Sequence, residues 1–226
     1  MKKIAIILAR GGSKRIHKKN IKLFLGKPIL EYSIKAAIES GLFDEIMVST
    51  DDKEIADIAL KSGASVPFYR SKKNSDDHST TFDVVKEVLL NYDIDFKYVC
   101  CLYACAPFLN GKKLIDAYDK MNQNNFNSIF PIVEYGFPIQ RSFKSDGKKV
   151  SFYYPEYALT RSQDLEKCYH DAGQFYFMNI QKCLDENKII TSNSGFIIIN
   201  RMEAQDIDDL TDWKLAELKY EMLQSS

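Results

Sequence analysis

The stretch Ile6–Lys22, IILARGGSKRIHKKNIK, sets a glycine pair behind an apolar run and then Lys14, Arg15, His17, Lys18, Lys19 and Lys22, with Arg10 ahead of the glycines and no acid among them. Gly11 and Gly12 open backbone conformations closed to other residues and let main-chain N–H groups approach a ligand. Arg10, Lys14 and Lys19 can supply the positive charge that a triphosphate requires. The order is not that of the common phosphate loops: GGSK lacks the first glycine and the Gly-Lys-Ser/Thr ending of the P-loop, and it is not the GxGxxG of dinucleotide binders. Residues 1–30 hold nine of the 31 basic residues and none of the 31 acidic ones, so the remainder carries a net charge of −9. A neutral chain with one basic pole suits a small polyphosphate better than a nucleic acid, which needs a longer basic track. Solvated surface lysines are the competing reading, and the position directly after a buried strand favours phosphate.

A second group lies near the C-terminus in AQDIDDLTD. Asp206 and Asp208 alternate across Ile207, so in extended backbone they share one face while Ile207 turns inward. Two carboxylates on one face suit Mg²⁺, which takes one or two protein carboxylates together with phosphate oxygens and water. The alternative is that Asp208 or Asp209 caps the last helix. STDD, Ser49 to Asp52, ends an apolar run, where an aspartate binds a ligand or, more commonly, caps the next helix. Arg161–Tyr176, RSQDLEKCYHDAGQFY, is dense in polar groups: Arg161 can grip a carboxylate, and His170 with Asp171 can hydrogen-bond a polyhydroxylated substrate. No Ser or Cys stands convincingly beside His170 to build a nucleophilic triad. Cys100, Cys101, Cys105, Cys168 and Cys183 form no CxxC pair, which argues against a zinc site and a disulfide framework.

These residues need a scaffold, and the hydrophobic pattern supplies one. KKIAIILA reads as a strand buried on both faces. KPILEYSIKAAIESG reads as a helix with Ile29, Leu30, Ile34, Ala37 and Ile38 on its apolar face, Pro28 near its first turn and Gly41 at its end. DEIMVST and KYVCCLYA read as strands, ASVPFY as a short one, and DDKEIADIALKSG and STTFDVVKEVLLNY as helices, the latter capped by Ser79 or Thr80. Such alternation predicts an α/β fold with a mainly parallel sheet flanked by helices. Ligands of such sheets bind beyond the carboxyl ends of the strands, which singles out Arg10–Asn20, Thr50–Asp52 and Tyr103–Pro107. Later, AGQFYFMN and GFIIIN read as strands and DLTDWKLAELKYEML as a helix, whereas residues 134–165 are rich in Tyr, Phe and Pro and read as an excursion that covers substrate or meets a second subunit. At 226 residues the chain fits a single domain over 1–226, with no apolar run of membrane-spanning length. A cytoplasmic protein is expected, with no membrane and no nucleic acid among its partners.

LARGGSKRIHKKNIK, VSTDDKEIA, LYACAPFL, FPIQRSF, RSQDLEKCYHDAGQFYF and QDIDD, in this order, resemble the CMP-sugar (acylneuraminate) cytidylyltransferases, which activate nine-carbon 2-keto sugar acids. The later segments most resemble the branch that acts on pseudaminic acid. That resemblance implies a Rossmann-like nucleotidyltransferase fold, a homodimer, and conversion of CTP and a sugar acid to CMP-sugar and pyrophosphate with Mg²⁺. Arg10, Gly11, Gly12, Ser13, Lys14, Lys19, Asn20, Arg70 and Thr80 are then expected at the nucleotide, with Arg10, Lys19 and Asp208 catalytic and Asp206 and Asp208 holding the metal. Tyr103, Gln140, Arg141, Arg161, Gln163, Asp164, His170, Asp171 and Gln174 are expected at the sugar acid, with Arg141 and Arg161 at its carboxylate. Tyr103 stands where the sialic acid enzymes carry Gln, which speaks against ordinary sialic acid. His17 and Leu8 stand where Pro is usual. Legionaminic acid, N-acetylneuraminic acid and an eight-carbon sugar acid are the alternative acceptors, and a non-catalytic CTP-binding module is the alternative class. An oxidoreductase would need the dinucleotide fingerprint that the chain lacks.

Overall fold

The computed structural model of the protein describes residues 1–225. Its centre is a seven-stranded sheet built from β1 (Lys3–Leu8), β4 (Glu45–Ser49), β5 (Tyr98–Tyr103), β6 (Ser128–Glu134), β9 (Tyr169–Asp171), β10 (Phe175–Asn179) and β11 (Ser194–Ile198). Two short ladders lie apart from it, β2 (Leu23–Phe24) with β3 (Lys27–Pro28) and β7 (Phe143–Ser145) with β8 (Val150–Phe152). The helices are α1 (Ile29–Ser40), α2 (Lys53–Lys61), α3 (Thr81–Leu90), α4 (Gly111–Gln123), α5 (Ile180–Glu186) and α6 (Leu210–Gln224).

Strand order is β11-β6-β10-β5-β1-β4, with β9 beside β6. The pairs β1–β4, β1–β5 and β11–β6 are parallel, but β10 runs antiparallel to both β5 and β6. The sheet is therefore mixed, with β11, β6, β5, β1 and β4 running one way and β10 and β9 the other, and hydrophobic runs such as QFYFM mark a strand without marking its direction. Side-chain alternation explains why β1 is apolar throughout: Ala5 and Ile7 pack with α1, α2 and α4, while Ile4 and Ile6 pack with α3 and α5 on the other face.

ASVPFY forms no strand. Ser65 alone bridges Met47, donating to Ile46 O at 2.8 Å and accepting from Val48 N at 2.9 Å, and Pro67 removes the next donor. Ile38 is 46% exposed, while Ser33, Ala36 and Ser40 join the buried face of α1. Pro28 is the residue before α1 and Gly41 ends it at φ 60°. Thr80 caps α3 through a reciprocal box with Asp83, and Asp209 caps α6 in the same way with Asp212.

A third apolar cluster ties the two chemistry-bearing regions together. Ile16 from the basic loop, Ile207 from the acidic segment, and Phe24, Trp213 and Ala216 pack as one group, with Phe24 edge-on to Tyr32, Trp213 and Tyr220 at centroid distances of 5.4–5.7 Å. Burying a side chain the size of Ile207 is worth about 1.5–3 kcal/mol. That is enough to hold Ile207 inward and turn its neighbours Asp206 and Asp208 out.

Candidate active site

The basic loop leaves the carboxyl end of β1 and returns to α1, closed at its neck by Asn20, whose Nδ2 donates to Arg10 O at 2.8 Å while its Oδ1 accepts from Cys105 Sγ at 3.3 Å. Asn20 is 8% exposed and holds the loop in shape. The glycines differ from each other. The left-handed residue of the loop is Lys18 at φ 51°, not Gly11 or Gly12. Gly11 is required by close approach: a Cβ there would lie 2.8 Å from Asp52 Oδ2 and 2.9 Å from Asp52 Cβ, whereas nothing lies within 4 Å of one at Gly12. Its N–H donates to Asp51 at 2.8 Å, and Asp52 caps α2 by accepting from Glu54 N and Ile55 N at 2.8 and 3.0 Å. The acids of STDD thus anchor the basic loop and cap a helix.

Between this loop, residues 70–81, the end of β5 and Asp208 opens a cleft of about 570 Å³. Arg10, Ser13, Lys14, Lys19, Asn20, Arg70, Thr80, Tyr103 and Asp208 line it, so the structure gathers most of the nucleotide set and one metal candidate on one cavity; Gly11 and Gly12 stand behind the lining. The acids that the loop lacks come from across the cleft. Asp77 receives Arg10 at 2.7 Å and Lys14 at 2.5 Å, and Arg10 Nη1 also donates to Asp76 O at 2.8 Å. Hydrogen bonds from Lys14 and then Arg10 hold the Asp77 carboxyl down at about 2. Asp77 is the residue sequence reasoning missed: only the fold brings DDHST against a loop more than 60 residues earlier. The loop that carries it is pinned by Glu87, which accepts from Ser71 N, Ser71 Oγ and Asn74 Nδ2. Arg70 is 7% exposed, donates to Ser49 Oγ and Ser49 O at 2.9 and 2.5 Å, and has its pKa lowered by burial.

On the far wall Lys19 Nζ donates to Ile207 O at 2.8 Å, joining the basic loop to the acidic segment, and Arg15 pairs with Asp208 at 2.6 Å. Asp206 does not line the cleft, yet its charge reaches Cys105, which does; burial, opposed by Lys19 and aided by Asp206, pushes that thiol up to about 12. Among the described residues no group of three or more His, Cys, Asp or Glu side chains converges on a metal position. A pair of aspartates flanking a buried isoleucine beside a phosphate-sized cleft fits Mg²⁺ all the same, since phosphate oxygens and water complete its shell.

The sugar set divides. Tyr103, at the end of β5, shares a hydrogen bond of 3.0 Å with Thr81 and meets Tyr176 edge-on at 5.8 Å, and Tyr176 donates to Asp171 at 2.5 Å. Burial raises the pKa of both phenols, so they serve as neutral hydrogen-bonding groups. They border a second cavity of about 360 Å³, walled by Phe82, Ile189 and Ile190 and sharing Thr80, Thr81 and Tyr103 with the first. Gln140, Arg141, Arg161, Gln163 and Asp164 line neither cavity. They sit on the excursion, where Arg161 pairs with Asp164 at 2.7 Å, Arg141 reaches Ser162 at 3.3 Å and Gln140 donates to Glu166 O at 2.9 Å. His170 lies on β9, its ring 4.9 Å from that of Tyr135 and its Nδ1 donating to Asp171 O at 2.9 Å. Gln174 is 3% exposed, lines neither cavity, and donates to Glu203 O at 2.6 Å.

A mixed sheet sandwiched by helices, with a basic loop after the first strand and carboxylates across a cleft at the strand ends, defines a Rossmann-like nucleotidyltransferase. The fold matches a solved CMP:2-keto-3-deoxy-manno-octonic acid synthetase complexed with CTP at a TM-score of 0.72 over 100% of both chains, with 14% identity. The family model described as cytidylyltransferase matches residues 4–221, and the chain belongs to that family. It is 44% identical to the pseudaminic acid cytidylyltransferase of Campylobacter jejuni, covering 100% of this chain and 99% of that protein. It is 32% identical to the CMP-N,N'-diacetyllegionaminic acid synthase of Legionella pneumophila, again over 100% and 99%.

Proposed function

We propose that the protein transfers CMP from CTP to the anomeric hydroxyl of pseudaminic acid, releasing pyrophosphate, as a cytoplasmic homodimer that uses Mg²⁺. The observation that carries the choice of acceptor is the end-to-end identity with the Campylobacter jejuni enzyme, which exceeds that with the legionaminic acid synthase. The acceptor hydroxyl attacks the α-phosphorus in line, its oxygen forming the new P–O bond as the bond to the β-phosphate oxygen breaks and pyrophosphate leaves, with the hydroxyl proton released to water. Arg10, Lys14 and Lys19 bind the triphosphate and meet the charge that develops toward the leaving group. Arg70, rigid on the end of β4, and Thr80 at the start of α3 border the nucleoside end. Mg²⁺, held by Asp206 and Asp208, supplies neutralisation and orientation of the phosphate oxygens when bound.

The second cavity supports an acylated acceptor, since Phe82, Ile189 and Ile190 offer an apolar wall beside the hydroxyls of Tyr103 and Thr81. The excursion supports a dimer: Phe137 is 87% exposed, Val150 68% and Leu159 99%, an apolar surface that a second copy would cover. Such a pairing is the route by which Arg141 and Arg161 reach an acceptor carboxylate. Pyrophosphate release with CTP and Mg²⁺, measured in parallel with pseudaminic, legionaminic and N-acetylneuraminic acids, tests the reading. Release with pseudaminic acid is expected. Release with another acid alone refutes the acceptor, and release with none from protein that binds CTP refutes catalysis.

A further inference from the structure

The segment Asn200–Asp209 carries Asp206 and Asp208 without belonging to the sheet or to α6, so its carbonyls need partners from elsewhere. Lys19 and Asp212 serve its end: Lys19 donates to Ile207 O, and the Asp212 carboxylate accepts from Asp208 N at 2.9 Å and Asp209 N at 3.1 Å. Its beginning is held by three side chains from three places in the fold. Lys113 of α4 pairs with Glu203 at 2.8 Å, Gln174 donates to Glu203 O, and Lys219 of α6 donates to Ala204 O at 2.8 Å, Gln205 Oε1 at 2.9 Å and Arg201 O at 3.3 Å.

Lys219 is unusual among these because its acceptors are neutral and belong to one five-residue stretch. An ammonium so placed spends its donors on backbone shape, not on an ion pair. Gln174 shows the same bias: its Nε2 is committed to Glu203 O, while its Oε1 is buried with no hydrogen-bond partner. A buried orphan acceptor destabilises the fold, so the residue is kept at a cost in stability and its use lies in what Nε2 holds.

We propose that Lys219, together with Gln174, is a positioning residue for the metal-binding aspartates, fixing residues 201–205 so that the segment carrying Asp206 and Asp208 is held at the edge of the cleft in one geometry. The inference rests on Asp206 and Asp208 holding the metal, and its test separates the two. Mn²⁺ binding to CTP-loaded protein is measured by electron paramagnetic resonance, with no sugar acid present so that no turnover occurs, for wild type, Lys219→Met, Gln174→Met and Asp208→Asn. Loss of a direct outer partner of a metal ligand lowers metal affinity by about 10- to 100-fold; Lys219 acts one step further out, on residues 201–205, so a fall of about 3- to 10-fold is expected for Lys219→Met, while metal-free CTP binding stays within about twofold. Turnover should follow, with kcat falling and KM for CTP little changed. Gln174→Met removes the orphan acceptor together with the donor to Glu203 O, two effects that offset each other in stability, so it should fold while weakening Mn²⁺ in the same direction; it decides the matter if Lys219→Met does not fold. Weakening in Asp208→Asn with neither of the other variants affected overturns the positioning role. No weakening in Asp208→Asn overturns the metal assignment, and the proposal with it.

Discussion

Replacing Gly11 and Gly12 by alanine, one at a time, should move stability in opposite directions. At Gly12 the new Cβ meets nothing within 4 Å and φ is not in the left-handed region, so alanine acts mainly by restricting the unfolded chain. That effect is worth about 0.4–1 kcal/mol of added stability. At Gly11 the Cβ would lie 2.8–3.2 Å from three atoms of Asp52, whose carboxylate is committed to two N–H groups of α2. Relief requires Asp52 to leave its cap, which costs about 0.5–2 kcal/mol. For a chain of this size each kcal/mol shifts the melting temperature by about 2–4 °C, so Gly11→Ala should lower it by about 1–8 °C and Gly12→Ala raise it by about 1–4 °C. Differential scanning fluorimetry without nucleotide reads both. Repeating Gly11→Ala in an Asp52→Gly background isolates the cause, since the glycine removes the three atoms nearest the new methyl and caps nearly as well. The loss should disappear there. Equal effects of the two alanines, or an undiminished loss in the double variant, would refute the close-approach account.

Asp77→Asn should tighten CTP and pyrophosphate by about two- to fivefold, the scale of exposed ion pairs, because these ligands compete with Asp77 for Arg10 and Lys14; calorimetry showing weaker binding would assign Asp77 a direct role in holding nucleotide. Because the folded-state value of Asp77 is depressed, its contribution to stability is complete above the ordinary aspartate range and is lost as pH falls toward about 2. Asp77→Asn should therefore lower stability slightly at neutral pH and flatten acid unfolding below pH ~4, with variant and wild type converging toward pH ~2, as pH-dependent melts would record. Cys105 and Cys168 are the two partly exposed thiols, and burial raises the thiol pKa of Cys105 as it does those of Cys100, Cys101 and Cys183, so Cys168 should be the first to react with a thiol reagent in native protein. Mass spectrometry finding rapid labelling at Cys105 would contradict the packing at the cleft floor.

Local pattern foretold the strands that are buried on both faces, the capping residues, and the position of the basic loop, because each of these is set by a few neighbouring residues. The family of the chain was legible in six short motifs. What the sequence concealed is whatever depends on separation along the chain: the antiparallel direction of β10, the arrival of Asp77 opposite Arg10 and Lys14, and the inward turn of Gln174. The glycine pair shows the limit most sharply. Both residues look alike in GGSK, but only Gly11 faces Asp52, and that contact exists only once β1 and β4 are side by side. Ile207 carries the converse lesson: its inward turn followed from the alternation of QDIDD and is held by the cluster around it, while of its two flanking aspartates Asp208 lines the cleft.

The excursion leaves the sheet at Glu134 and returns at Tyr169, and these two residues are partners in the β6–β9 ladder. Its ends are therefore clamped about 5 Å apart whatever lies between them. For such a closed loop, doubling the length adds only about 0.6 kcal/mol of closure entropy. The sheet, the basic loop and the aspartate segment are thus insulated from changes in the excursion, so its length and surface can be rewritten at little cost to the half of the protein that handles the phosphates. Closure at the Glu134–Tyr169 rung makes the excursion an exchangeable module on a constant sheet.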